Sequence, residues 1–190
     1  MEELLESREI IISSEKLGAF CGVNPAQVRK DLTFFGEFGV RGVGYNIGNL
    51  LHHIQKILAT DKEWHLCIVG LGNLGHALVE NDNMRKRGYN FVAAFDIDPL
   101  KIGTKLDCGL TIEPNSRISV LVPKLNIEIG VIATPPLMAQ GVSNLLMSAG
   151  VRGIYNLVPV QVRTDACCVV ENVDFTVKLE NLAYHIGKIN

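Results

Sequence analysis

From residue 65 onward, short apolar runs alternate with amphipathic stretches, and this pattern predicts strands that alternate with helices. The run 129–133 is apolar or small at every position, which is typical of a parallel strand that is covered on both faces. We therefore expect an α/β fold with a doubly wound parallel sheet in this part of the chain. The predicted strands are 65–69, 90–95, 127–133, 153–157 and 167–173, and the predicted helices are 73–87, 118–124, 137–148 and 177–186.

The first part of the chain predicts two short helices joined by a turn. Ser13 or Ser14 can cap the first of them, which ends at Gly22. The second begins with Asn24-Pro25, an asparagine cap followed by a proline in the first turn, and it continues to about Phe35. Two short helices around a turn that contains glycine are typical of the helix-turn-helix of DNA-binding proteins.

A hairpin and a linker helix are expected next. Residues 38–45 alternate glycine with apolar or basic side chains, which indicates a tight hairpin, the wing of a winged helix. Residues 49–58 have an amphipathic pattern and predict a helix that leads to the sheet. We expect a winged-helix domain over residues 1–61, a sheet domain over residues 62–175 and a C-terminal helix within residues 176–190.

Composition excludes a disordered chain and a chain that spans a membrane. The 190 residues are 47% hydrophobic and 20% charged, as in ordinary globular proteins. No apolar run reaches the length of a membrane span and no signal peptide is visible, so we expect a cytoplasmic protein. The cysteines and histidines lack metal-ligand spacing, so no metal is expected. Buried, reduced thiols are expected for the five cysteines, and a redox switch between the adjacent Cys167 and Cys168 is the alternative.

A dinucleotide fingerprint joins the first two predicted strands of the sheet. Its first glycine permits a tight turn, its second lets the backbone approach a pyrophosphate, and its third lets the helix pack against the strand. Asp96 ends the next strand, where a carboxylate accepts hydrogen bonds from a ribose diol and repels a 2′-phosphate. The pattern predicts a Rossmann domain that binds NAD(H) rather than NADP(H). The fingerprint residues are Gly70, Leu71, Gly72, Asn73, Leu74 and Gly75.

The loops after the later strands are expected to line the same crevice, because ligands bind at the carboxyl ends of parallel strands. These loops offer neither a histidine nor a Lys–Tyr pair as a proton donor, which argues against an enzyme that transfers hydride. The alternative role of their prolines is to end strands. The candidates for the nicotinamide half are Thr134, Pro135, Asn156, Leu157 and Val158.

The second helix of the helix-turn-helix offers side chains that suit DNA. Arginine and glutamine can contact base edges and lysine can contact phosphates, whereas Arg41 in the hairpin can enter a narrow minor groove. The net charge of −2 gives no sign of nucleic-acid binding, but residues 27–56 carry four basic side chains against two acidic ones. An ordinary solvated helix is the alternative. The helix candidates are Gln27, Arg29, Lys30 and Thr33.

Longer motifs resemble one protein family over nearly the whole chain. The block 24–46 resembles the winged-helix signature of the Rex family of redox-sensing transcriptional repressors. The resemblance implies a homodimer that binds operator DNA, represses genes of fermentation and respiration when NADH is scarce, and is released from DNA when NADH binds. The other matching blocks are 69–75, 94–99, 101–103, 132–135, 153–159 and 173–175.

The resemblance also adds site residues. It implies that Ile97 and Lys101 belong to the cofactor site, and that Phe175 lies near the nicotinamide pocket of the partner subunit because the C-terminal helix is exchanged between subunits. Relatives begin with a longer, basic first helix, so we expect a full first helix to tighten DNA binding. Some relatives carry a tyrosine where this chain has Asn81. A small NAD-dependent oxidoreductase and a dimeric NAD-binding module without DNA affinity are the alternative functions.

Overall fold

The computed structural model describes residues 10–36, 39–40 and 42–189. The chain divides into two compact units, one that ends at Lys62 and one that begins at Glu63. The wing residues Phe38 and Arg41 and residues 1–9, where a shortened first helix is expected, lie outside the described residues.

The N-terminal unit contains the predicted pair of helices. Helix α1 (Ser14–Cys21) is capped by the side chain of Ser13, and it ends at Gly22, which adopts a left-handed conformation with φ of 67°. Helix α2 (Pro25–Thr33) is capped by the side chain of Asn24. The helix-turn-helix predicted from these caps is therefore confirmed.

A small antiparallel sheet and a third helix complete this unit. The strands β1 (Ile11–Ile12), β2 (Gly39–Val40) and β3 (Gly44–Asn46) lie in the order β1-β3-β2, so the predicted wing is the hairpin of β2 and β3. Helix α3 (Ile47–Ile57) starts earlier than predicted because the Asn46 side chain caps it. The core of the unit consists of Ile12, Leu17, Val28, Tyr45, Ile47 and Leu50.

The second unit is built on a six-stranded sheet in which every neighbouring pair of strands is parallel. The order is β6-β5-β4-β7-β8-β9, so the first strand lies in the middle and the chain winds outward in both directions. This order is that of a Rossmann fold, and it places a ligand crevice where the winding reverses, between β4 and β7. The strands are β4 (Trp64–Val69), β5 (Tyr89–Asp96), β6 (Ile112–Pro114), β7 (Ile129–Ile132), β8 (Gly153–Asn156) and β9 (Val169–Asn172).

Helices cover both faces of this sheet. One apolar cluster joins β4 and β5 to the helices that start at Asn73 and Asp82. A second cluster joins the opposite face to the helices that start at Ile118 and Pro136. The doubly wound sheet predicted from the apolar runs is therefore confirmed. The helices are α4 (Asn73–Val79), α5 (Asp82–Lys86), α6 (Ile118–Lys124), α7 (Pro136–Ser148) and α8 (Phe175–Ile186).

The expected burial of the thiols is wrong for Cys21, Cys108 and Cys167, which are exposed, whereas Cys67 and Cys168 are buried. Two elements also differ from the sequence-based prediction. The single helix predicted over residues 73–87 is wrong: the chain breaks between α4 and α5, because the side chain of Asn81 accepts a hydrogen bond from the Asn83 N–H and caps a new helix. Strand β6 was not predicted, since an edge strand of three residues that ends in Pro114 is too short to show a period.

Part of one sheet face lacks a covering helix. Residues 157–168, which join β8 to β9, form no helix, and Val158, Val162 and Cys168 pack in the apolar cluster that contains α6 and α7. Every side chain of α8 is exposed. An apolar groove of about 510 Å³ lies on the opposite face, beside α4 and α5, with residues of β4, β7 and β8 among its lining. On α8, Phe175, Leu179, Leu182 and Ile186 lie along one side, and each is more than half exposed.

Candidate functional site

The three glycines of the fingerprint meet different surroundings at the end of β4. Gly70 has φ of +98°, and a Cβ there would lie 2.5 Å from the carbonyl oxygen of Ala133. A Cβ on Gly75 would collide with the carbonyl oxygen of Gly70. A Cβ on Gly72 would meet nothing within 4 Å. The first and third glycines are therefore required by the fold itself, whereas the second borders open space.

The carboxylate of Asp96 is buried and surrounded by donors. Its Oδ1 accepts hydrogen bonds from the backbone N–H groups of Ile97 at 2.7 Å and Asp98 at 2.9 Å. Its Oδ2 accepts from the Leu71 N–H at 2.8 Å and from the Lys101 ammonium at 3.2 Å. Burial raises the pKa of Asp96, but these donors outweigh it and hold the pKa below its ordinary value.

A cavity of about 420 Å³ opens at the carboxyl ends of β4, β5, β6 and β7, where a Rossmann fold places its ligand. Two of its lining side chains carry a buried polar atom that no described residue satisfies, Thr134 Oγ1 and Asn115 Oδ1. Buried polar atoms in native proteins are generally paired, so both atoms are available to a ligand that hydrogen-bonds. The predicted residues that line it are Gly70, Gly72, Asn73, Leu74, Asp96, Ile97, Lys101, Thr134 and Pro135.

Other predicted cofactor residues lie elsewhere. Leu71 and Gly75 are buried behind the loop, where Leu71 contributes its N–H to Asp96. Leu157 and Val158 are buried in the sheet clusters and do not line the cavity. Phe175 stands exposed at the start of α8 and does not line the cavity of its own chain.

Asn156 holds a loop together. Its side chain is fully buried, and its Nδ2 donates to the carbonyl oxygen of Val160 at 2.6 Å and to Asn172 Oδ1 at 2.8 Å. Its Oδ1 accepts from the Val158 N–H at 3.2 Å. The amide is thus engaged by its own chain, which fits a role in shaping the end of β8 rather than one in contacting a ligand directly.

Sequence reasoning missed five residues that line the cavity, namely Val69, Asn115, Ala133, Met138 and Val142. Asn115 follows β6, which the sequence pattern did not predict, so the position of Asn115 at the end of a sheet strand could not be predicted either. Met138 and Val142 line the cavity from α7, and they follow Pro135 by about one and two helical turns, a spacing from which they could have been predicted.

The polar side chains of α2 are held within the N-terminal unit. Gln27 Nε2 donates to Asp31 Oδ1 at 2.5 Å, and the Thr33 hydroxyl donates to the carbonyl oxygen of Arg29 at 2.7 Å. Arg29 Nη1 donates to the Ser14 hydroxyl at 2.7 Å and lies 3.7 Å from Glu15. Lys30 is exposed.

Glu15 belongs to the same small network. The Ser14 hydroxyl donates to Glu15 Oε1 at 3.3 Å, so Ser14 links the carboxylate to the Arg29 guanidinium. Hydrogen bonds from its own backbone N–H and from the Ser13 side chain, with a smaller effect of Arg29, lower the pKa of Glu15. A predicted DNA-contacting arginine therefore has an intramolecular partner of opposite charge.

Metal and membrane sites are not formed by the described residues. Within residues 10–36, 39–40 and 42–189, no group of three or more His, Cys, Asp or Glu side chains is placed to hold a metal ion. No described helix is long and apolar enough to cross a membrane.

Two family models match the sequence. One is the CoA binding domain, over residues 61–160, which contain most of the parallel sheet. The other is the N-terminus of putative DNA-binding proteins, over residues 1–33, which contain both helices of the helix-turn-helix.

Similar proteins cover nearly the whole chain. A redox-sensing transcriptional repressor Rex of Syntrophobacter fumaroxidans is 50% identical, over 98% of this chain and 89% of that protein. A redox-sensing transcriptional repressor Rex 1 of Thermotoga maritima is 40% identical, over 100% of this chain and 90% of that protein. The chain belongs to the Rex family of redox-sensing transcriptional repressors. The prediction from the sequence motifs is thereby confirmed, and the alternative of an oxidoreductase is excluded.

Solved Rex-family structures share the fold. The structure of RSP, a Rex-family repressor, in complex with NAD⁺ and operator DNA is 33% identical and superposes with a TM-score of 0.93, over 98% of this chain and 86% of that chain. RSP in complex with NADH is 31% identical and superposes with a TM-score of 0.85, over 98% of this chain and 87% of that chain.

Proposed function

We propose that this Rex protein binds NAD(H) in the cavity of its Rossmann unit and operator DNA through its winged helix, and that NADH binding releases the DNA. The observation that carries the proposal is the cavity itself, which combines the open side of Gly72 with the unpaired oxygen of Thr134. It lies where the glycine loop can receive a pyrophosphate. The similar RSP structures contain the same two kinds of ligand, a nicotinamide dinucleotide and operator DNA.

In this proposal each domain has its own binding function. Residues 1–61 bind DNA, with Gln27, Arg29, Lys30, Thr33 and Arg41 as contacts. Residues 62–175 bind the dinucleotide, and residues 176–190 form the helix that is exchanged between subunits. The internal bonds of Gln27 and Arg29 require these side chains to exchange partners when DNA binds. A protein that acts on operator DNA in a bacterial cell works in the cytoplasm.

A homodimer is supported by two surfaces of the second unit. The apolar side of α8 is exposed, and so is the apolar groove lined by residues of β4, β7 and β8. Exposed apolar surfaces of this kind are typical of subunit interfaces. A second copy of the chain would cover both if each α8 packed on the other subunit, and Phe175 would then approach the partner's cavity.

Discrimination between the two redox forms is assigned to the nicotinamide ring, because NADH and NAD⁺ differ only there. The ring is cationic in NAD⁺ and neutral in NADH. The proposed neighbours are Pro135, which lines the cavity, and Phe175 of the partner subunit, both of them apolar. Leu157, the third residue predicted there, is buried in the sheet cluster and does not line the cavity. Burial of a cation among apolar groups without a paired carboxylate is unfavourable, so the site should prefer NADH.

Fluorescence anisotropy with a labelled AT-rich palindromic duplex tests the proposal. NADH should release the duplex at concentrations at which NAD⁺ does not. Linkage requires the duplex to weaken NADH binding by the factor by which NADH weakens DNA binding. Gly72→Val is the matched control, since it should keep DNA binding and lose the response to NADH. NADH affinity that is indifferent to DNA would refute the switch.

A further inference from the structure

The side chain of Asn115 carries a buried oxygen without a donor. No group in the described part of the chain donates a hydrogen bond to Asn115 Oδ1. An unpaired buried acceptor destabilises a folded protein, so native proteins rarely keep one unless water or a ligand satisfies it. Asn115 also lines the dinucleotide cavity, which makes a ligand group the natural donor.

A local structural role does not account for this oxygen. Asn115 begins a single 3-10 turn, Asn115–Arg117, that leads into α6, and an asparagine at such a place often caps the following N–H groups. Here the turn has no side-chain cap, and its flanking residue is Pro114. The amide oxygen is therefore not used to start the helix.

The position of Asn115 assigns it to one half of the crevice. Pro114, the last residue of β6, pairs with Asp96, the last residue of β5. Asn115 and Asp96 thus line the cavity from neighbouring strands, whereas Thr134 lines it from the end of β7 on the other side of β4. The acid that ends the second strand of a Rossmann fold marks the adenosine half of the dinucleotide. Asn115 accordingly belongs to the adenosine half.

Adenine presents only one donor group to such an acceptor, its exocyclic 6-amino group, because its ring nitrogens accept hydrogen bonds. Apolar surface for the flat base is present in the same cavity, where the side chain of Ile97 is 59% exposed. Hypoxanthine carries an oxygen in place of the amino group, so Oδ1 would face a second acceptor unless the amide turned to present its Nδ2 donor.

We propose that Asn115 reads the base of the dinucleotide, with its Oδ1 accepting a hydrogen bond from the 6-amino group of adenine. The inference rests on the proposed binding of NADH in this cavity. It makes Asn115 a specificity residue that selects adenine over bases with an oxygen at that position. A site built around such a bond rejects analogues that lack the donor, since its own acceptor is then left unpaired.

Titration calorimetry with NADH and with reduced nicotinamide hypoxanthine dinucleotide tests this assignment, because the hypoxanthine analogue lacks the 6-amino group and has an oxygen there. The unmutated protein should bind NADH tighter by on the order of tenfold or more. Asn115→Leu, which keeps the volume and removes the acceptor, should abolish the preference. Asn115→Asp offers only acceptor oxygens and no donor that could turn toward the hypoxanthine oxygen, so it should retain or enlarge the preference.

The outcomes separate the two proposals. Equal affinities of the unmutated protein for both dinucleotides, with NADH still bound, would overturn the role of Asn115 and leave the cofactor site standing. A preference that survives in a folded Asn115→Leu protein would overturn it as well. Absence of NADH binding to the unmutated protein would overturn the cofactor site itself. The comparison of two ligands on the unmutated protein decides even if a variant fails to fold.

Discussion

The carboxylate of Asp96 accepts a hydrogen bond from the Leu71 N–H at 2.8 Å and so ties the end of β5 to the glycine loop that follows β4. This contact changes the role that sequence alone gives to the acid. Because three backbone N–H groups and Lys101 already occupy its oxygens, Asp96 positions the loop and the lysine in the ligand-free protein. A ribose diol must share or displace these donors.

Asp96→Asn should destabilise the protein by roughly 1.5–3 kcal/mol, the usual contribution of hydrogen bonds to a charged group. The folded-state pKa of Asp96 is lowered, so its ionised form adds stability above the ordinary pKa of an aspartate. That stability is lost as the pH falls through the lower folded-state value. Urea unfolding should therefore show a gap between mutant and unmutated protein at neutral pH that shrinks in acid. Asp61→Asn, at an exposed position, is the control and should leave no such gap.

Gly72→Ala and Gly75→Ala should separate binding from folding. A methyl group on Gly72 enters open space at the cavity, so the fold should persist while NADH binding weakens by at least about 1.4 kcal/mol, a factor of ten. A methyl group on Gly75 collides with backbone, and overpacking of this kind destabilises by typically about 1–3 kcal/mol. Calorimetry and thermal unfolding measure the two effects. A destabilised Gly72→Ala protein would contradict the distinction.

Glu15→Gln should tighten DNA binding. The substitution removes the carboxylate that lies 3.7 Å from Arg29 and leaves the guanidinium freer to meet DNA. Loss of an opposing charge should also steepen the salt dependence of binding by an amount comparable to about one phosphate contact. Anisotropy titrations at several salt concentrations measure both. Glu63→Gln, the same change in the other unit, is the control. Equal DNA binding by the two variants would refute the proposal that Glu15 competes with DNA for Arg29.

Leu179→Glu should weaken self-association. Leu179 lies on the exposed apolar side of α8, and a carboxylate there would be buried in the proposed interface without a partner. Asn181→Glu adds the same charge about 200° around the helix and is the control. Sedimentation velocity should show a shift toward monomer for the first variant only. A monomeric unmutated protein would remove the basis of the proposed dimer.

The strongest predictions from sequence concern features that one short stretch specifies by itself. The caps of α1 and α2 follow from Ser13 and Asn24, because a cap is a contact between residues three apart. The run 129–133 predicted a buried parallel strand for a similar reason. The position of the glycine loop could be predicted because the spacing of its glycines reflects contacts between residues that are close in the sequence.

The features that escaped prediction depend on distant residues. Asn115 becomes part of the cavity only because β6 pairs with β5, and three residues that end in proline give no period from which to predict that pairing. The bond between Arg29 and Ser14 joins two helices, so the helix that carries Arg29 shows no sign of it. The structural role of Asn156 could not be predicted either, because its buried side chain bonds to Asn172 on β9, which is distant in the sequence.

The buried hydroxyl of Thr134 has no hydrogen-bond partner among the described residues. A buried polar group without a partner costs about 1–3 kcal/mol, and this cost arises when the chain folds, before any ligand arrives. Thr134→Val should therefore raise the melting temperature of the empty protein and reduce the further rise that NADH produces. A hydroxyl kept for the dinucleotide would thus couple binding of the ligand to the stability of the fold.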